Sequence, residues 1–94
     1  MFVMSPENIL IEQKIRDFLS PLTERYLIKS IFETCNKTLV VEITKFKNQH
    51  MVTFNLFCLN AGKMFLSIDN KEKLEFDRLD KILNRIQSQK AVKL

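Results

Sequence analysis

Apolar and polar residues alternate through the middle of the chain. From Thr38 to Asp69 the order is TLVVEITKF, KNQ, HMVTFNLFCLN, AGK and MFLSID. An extended strand turns successive side chains to opposite faces, so alternation marks a half-buried strand. Three such runs, separated by short polar breaks, predict a three-stranded antiparallel meander. Leu39, Val41 and Ile43, then Val52, Phe54, Leu56 and Cys58, then Met64, Leu66 and Ile68, share one face. That face is nearly all apolar and has to pack on something. The opposite face is mixed. Glu42, Thr44, Thr53 and Asn55 argue against deep burial there, and Phe46, Phe57 and Phe65 argue against simple solvation. The single glycine, Gly62, follows Ala61 in a turn where a positive φ is useful.

The flanks follow a helical period. Ser5-Pro6 and Ser20-Pro21 each read as a helix start, with serine as the capping residue and proline in the first turn. The first helix is expected from Pro6 to Leu19, with Ile11, Ile15, Phe18 and Leu19 as its apolar stripe. Over residues 25–35, Leu27, Ile28, Ile31, Phe32 and Cys35 fall on one side and Arg25, Lys29 and Glu33 on the other. This spacing predicts a second helix, closed by Asn36. Its strand-favouring residues leave one alternative, a fourth strand and hence a four-stranded meander between two helices. Phe76, Leu79, Ile82, Leu83 and Ile86 predict a C-terminal amphipathic helix from near Lys73 to Gln89, followed by a tail with no evident partner. The expected fold class is α+β: two N-terminal helices, a three-stranded antiparallel meander and a C-terminal amphipathic helix, forming one domain over residues 1–94.

Composition narrows this picture a little. The chain has 94 residues, 46% of them hydrophobic and 28% charged, which suits a small folded core rather than a disordered segment. Eight Phe with one Tyr and no Trp make the aromatic content almost wholly apolar. Fifteen Lys and Arg against 11 Asp and Glu give a net charge of +4, which permits an anionic partner without requiring one. No leader pattern and no long apolar run is evident, so the expectation is a cytoplasmic protein with no membrane association.

Candidate chemistry is sparse. The lone histidine, His50, falls at a turn. Cys35 and Cys58 lack metal or redox spacing and lie in apolar runs, where thiols are inert. One glycine cannot build a phosphate-cradling loop. Asp69, Asp77 and Asp80 near the last helix fit capping. No catalytic, metal-binding or cofactor-binding residue is therefore assigned, and no enzyme activity is expected. Two binding surfaces remain. Phe46, Asn55, Phe57 and Phe65 on the mixed sheet face form a candidate protein interface, for a partner or for a second copy in a homodimer. Arg78, Lys81 and Arg85, spaced along one flank of the last helix, are candidate phosphate contacts, with Lys45, Lys47 and Lys63 at strand ends as possible additions. The leading expectation is a non-enzymatic interaction module acting through the mixed face or a strand edge. The alternative is a nucleic-acid-binding accessory protein that stacks bases on the sheet aromatics and holds phosphates with the basic helix.

Overall fold

The computed structural model describes residues 4–20, 25–59 and 62–93. Helix α1 (Pro6–Leu19) is followed by strands β1 (Arg25–Glu33), β2 (Leu39–Lys47), β3 (His50–Cys58), β4 (Met64–Ile68) and β5 (Glu72–Phe76), then helix α2 (Leu79–Ser88) and a short strand β6 (Val92–Lys93). The first five strands run antiparallel and lie in chain order across the sheet. β4 reaches only Phe54–Cys58 of β3. Further along the same edge of β3, His50 and Met51 pair with Lys93 and Val92 of β6. The α+β class and the antiparallel sheet are as expected, with one N-terminal helix instead of two and five strands in the main path instead of three or four.

The second N-terminal helix is replaced by β1, and a bulge explains why its pattern misleads. Ile28 pairs with Ile43, but the next pairing is Ser30 with Glu42, so Lys29 is an extra residue. Before the bulge Ile28 faces inward and Leu27 outward. After it Ile31 faces inward, opposite Val41, and Phe32 outward, opposite Val40. One inserted residue thus converts period two into apolar pairs four apart, which mimics a helix. Asn36 is not a helix cap but part of the turn into β2, where Lys37 adopts φ 59°. Pro21, the expected start of that helix, lies outside the described residues.

The C-terminal helix also starts later than expected, at Leu79. Asp69 and Asn70 take φ of 50° and 60°, and the Lys71 N–H closes on the Ile68 carbonyl at 2.9 Å. Asn and Asp tolerate this left-handed region, so the chain reverses into β5 instead of entering a helix. Leu74 and Phe76 then extend the inner face opposite Leu66 and Met64. The tail is not without a partner: Ala91 packs against the core and Val92–Lys93 pair with β3. Gly62 has the positive φ expected of its turn, 82°, while Ala61 lies outside the described residues.

The inner face of the sheet and both helices share one core. Leu39, Val41, Ile43, Val52, Phe54, Leu56, Cys58, Leu66 and Ile68 bury against Ile15 and Leu19 of α1 and Ile82, Leu83 and Ile86 of α2. Each fully buried large side chain stabilises the fold by about 1.5–3 kcal/mol. Two charged side chains also point into this layer, and each meets a helix end. Glu33, buried at the end of β1, accepts hydrogen bonds from the Ser5 N–H (2.9 Å), the Ser5 hydroxyl (2.8 Å) and the Asn8 side-chain amide (2.6 Å). Ser5 precedes Pro6 as expected of a cap, but its hydroxyl makes no capping bond to the helix and donates to Glu33 instead. Lys45, buried near the other end of β2, donates from its Nζ to the carbonyls of Ile86 (3.2 Å), Gln87 (2.6 Å) and Gln89 (2.9 Å). A carboxylate therefore sits at the start of α1 and an ammonium at the end of α2, the signs that the helix dipoles favour.

Removing the Lys45 ammonium strands three carbonyls. Lys45→Met is expected to lower unfolding stability by about 2–3 kcal/mol in a urea titration, against a change within about 0.5 kcal/mol for Lys71→Met on an exposed turn. The three bonds donated to Glu33 hold its carboxyl below the ordinary carboxylate value, with the Ser5 backbone bond the largest cause. A depressed folded-state pKa gives stability that is complete above the unfolded-state value and disappears as pH falls through the folded one. Melting temperatures measured from neutral pH into the acid range should therefore fall less steeply for Glu33→Gln than for the unaltered protein. Parallel curves would show that Glu33 contributes no acid sensitivity.

Candidate functional site

Because both helices pack on the inner face, the residues that alternate with the core line an outer face of their own. Strand register fixes its layout. Phe32 pairs with Val40, Val40 with Phe57, and Phe57 with Phe65, so four apolar side chains cross β1 to β4 in one row. Phe32 is 48% exposed and the other three are half-buried. The next row is polar: Ser30, Glu42, Asn55, Ser67 and Lys73. Leu27, Thr44 and Thr53 follow. At the far end Arg25, Phe46 and Met51 pair in series, and Met51 continues to Val92 of β6. The outer face is thus apolar at both ends with a polar waist.

All four residues of the candidate interface lie on this face, but not in one cluster. Phe57 and Phe65 are direct cross-strand neighbours. Asn55 belongs to the waist and donates a hydrogen bond to the Asn70 side chain at 3.2 Å. Phe46 lies at the opposite end, with the Arg25 guanidinium 5.8 Å above its ring. The Lys73 ammonium stands 4.7 Å from the centre of the Phe65 ring, close enough for a cation–π attraction. Lys29, raised by the bulge, pairs with Glu42 at 3.8 Å. Thr44 is buried, and its hydroxyl is the buried side-chain polar group lacking a hydrogen-bond partner among the described residues. Sequence reasoning missed Phe32, because the bulged strand read as a helix. It also missed the inward charges Glu33 and Lys45, since charged residues at strand ends normally face water.

The basic residues are arranged differently from the expected stripe. Arg78 precedes α2 in an extended conformation and so is not on the helix. Its guanidinium donates to Asp80 at 3.0 and 2.5 Å. Lys81 donates to Asp77 at 2.9 Å. Arg85 donates to the Gln89 side chain at 3.2 Å and lies 3.9 Å from Glu72. The bond from Lys81 lowers the pKa of Asp77, and that from Arg78 lowers the pKa of Asp80. These pairs are exposed, where an ion pair contributes only about 0–1 kcal/mol, but they leave little uncompensated charge. Helix α2 packs on the inner face, so Lys81 and Arg85 lie on the opposite side of the sheet from the aromatic row. Lys45, a possible phosphate contact by sequence, is buried and occupied by the end of α2.

Reactive groups are scattered. His50 is exposed at the start of β3, just after the turn that leaves β2, whereas Cys35 and Cys58 lie toward the other end of β2. Those nine residues of strand separate them by roughly 25–30 Å, so His50 forms no dyad with either thiol. Among the described residues, no group of three or more His, Cys, Asp or Glu side chains could hold a metal ion. Among them too, no helix is long and apolar enough to cross a membrane. Compared with known proteins, the chain matches no family model, no curated protein sequence and no solved structure.

The two cysteines differ from each other, and one departs from the sequence expectation. Cys58 is buried as expected, and burial pushes its thiol up to about 11. Cys35 is exposed in the turn after β1, not buried in an apolar run. In a thiol-reagent assay at mildly alkaline pH, Cys35 should react in the folded state and Cys58 only after denaturant is added. Two thiols titrating together in native buffer would contradict this placement.

Proposed function

We propose that this protein is a non-enzymatic interaction module that docks a protein partner on the outer face of its sheet. The observation that carries the reading is the row Phe32–Val40–Phe57–Phe65 on a face where neither helix packs. An aromatic row open on one side is the usual mark of an interface. The strand edges are less suited to the task. β1 is interrupted by the Lys29 bulge, and β5 is five residues long with Glu72, Lys73 and Glu75 along it. Bulges, shortness and charge are the devices that discourage strand addition.

The nucleic-acid alternative has less in its favour. Its stacking residues Phe46, Phe57 and Phe65 are on one side of the sheet, while Lys81 and Arg85 are on the other. Arg78, Lys81 and Arg85 each already have an acidic neighbour. The outer face itself mixes Arg25, Lys29 and Lys73 with Glu42 and Glu75 instead of offering one sign of charge. A phosphate backbone favours concentrated positive charge.

A docking face must be dispensable for folding. Phe57→Asp should keep the native circular dichroism spectrum and change unfolding stability by no more than about 1 kcal/mol. Phe54→Asp, one strand position away from the outer face and fully buried, should unfold the chain. Unfolding by Phe57→Asp would make Phe57 part of the core and end the docking reading.

A further inference from the structure

We infer that the occupant of the outer face is a second copy of this chain, packed sheet against sheet. The inference rests on the docking reading above and names its partner. The first argument is charge. The chain carries +4, so two copies repel through most of their surfaces. The outer face is closer to neutral, with Glu42 and Glu75 set against Arg25, Lys29 and Lys73. Two copies can approach there without an oppositely charged partner.

The second argument is size. Three nine-residue strands and two five-residue strands, at about 3.3 Å per residue and about 4.8 Å between strands, give a footprint of about 600 Å². Side-chain relief raises the accessible area toward the roughly 800 Å² per partner of a standard stable interface. The third argument is shape. Phe57 lies near the middle of the row, with Phe32 and Val40 on one side and Phe65 on the other. A twofold axis passing beside Phe57 lays the row across its own copy, so the patch meets itself as an isologous dimer requires. The two outer faces then stack at about 10 Å, the ordinary spacing of packed sheets.

Light scattering or sedimentation equilibrium of the full chain across a concentration series tests this. The expected mass is twice the chain mass of 11.1 kDa, without weakening as salt is raised. Phe57→Asp and Phe65→Asp should each raise the dimer dissociation constant on the order of 30-fold or more while keeping the native fold. Ile9→Asp, on the exposed side of α1, should leave the dimer intact. A monomer at every concentration, with Phe57→Asp still folded, would overturn the second-copy inference but leave the face available to another protein. A dimer that survives both Phe substitutions, or that Ile9→Asp abolishes, would place the contact elsewhere and overturn it as well. Unfolding by Phe57→Asp would overturn the inference together with the docking reading.

Discussion

The end of α2 constrains the whole helical layer. A helix finishing against a sheet leaves its last carbonyls short of hydrogen bonds, and burial removes the water that would otherwise supply them. Here the Lys45 ammonium reaches up from β2 and accommodates three of them, from Ile86, Gln87 and Gln89. That contact sets where α2 stops, and so where Ala91 and Val92 leave to cover the edge of β3. Glu33 plays the reciprocal part at the start of α1. β1 and β2 thus hold both helices through ions at opposite ends of the same strand pair, and the apolar core fills the space between.

This arrangement commits one face of the sheet to both helices and the other to neither. Both helices are attached to the inner side, so the outer row of Phe32, Val40, Phe57 and Phe65 receives no cover from them. The asymmetry separates two tasks. The inner face sets stability through burial, and Val40, Phe57 and Phe65 of the outer face lie outside that core. The same geometry parts the aromatic residues from the cations of α2, which the linear sequence offers as one binding surface.

The inner face was legible in the sequence because alternation through β2, β3 and β4 is clean. Leu39 to Ile43, Val52 to Cys58 and Met64 to Ile68 all bury or half-bury as their spacing requires. The first helix was legible from Ser5-Pro6 and its apolar stripe. β1 was not, because one extra residue at Lys29 shifts the phase of its pattern. β5 was not, because Glu72–Phe76 is short and precedes a real amphipathic helix whose period absorbs Phe76. Of the candidate interface, Phe46, Asn55, Phe57 and Phe65 were correctly assigned to one face, but their division between two ends and a waist depends on pairing between strands. No property of the linear chain announces that Lys45 points inward, since its partners are backbone carbonyls more than forty residues away.

The chain-order sheet has a consequence for assembly. Every pairing among β1 to β5 joins neighbours in sequence, so the meander can zip up hairpin by hairpin at low loop-closure cost. The contacts that attach the helices are of another kind, reaching back 28 residues from Glu33 to Ser5 and forward 41 to 44 from Lys45 to the end of α2. On a growing chain β1 to β5 are all made before α2. For that interval only α1 covers the inner face, and the nascent protein is most prone to stick to its neighbours just before its last helix arrives.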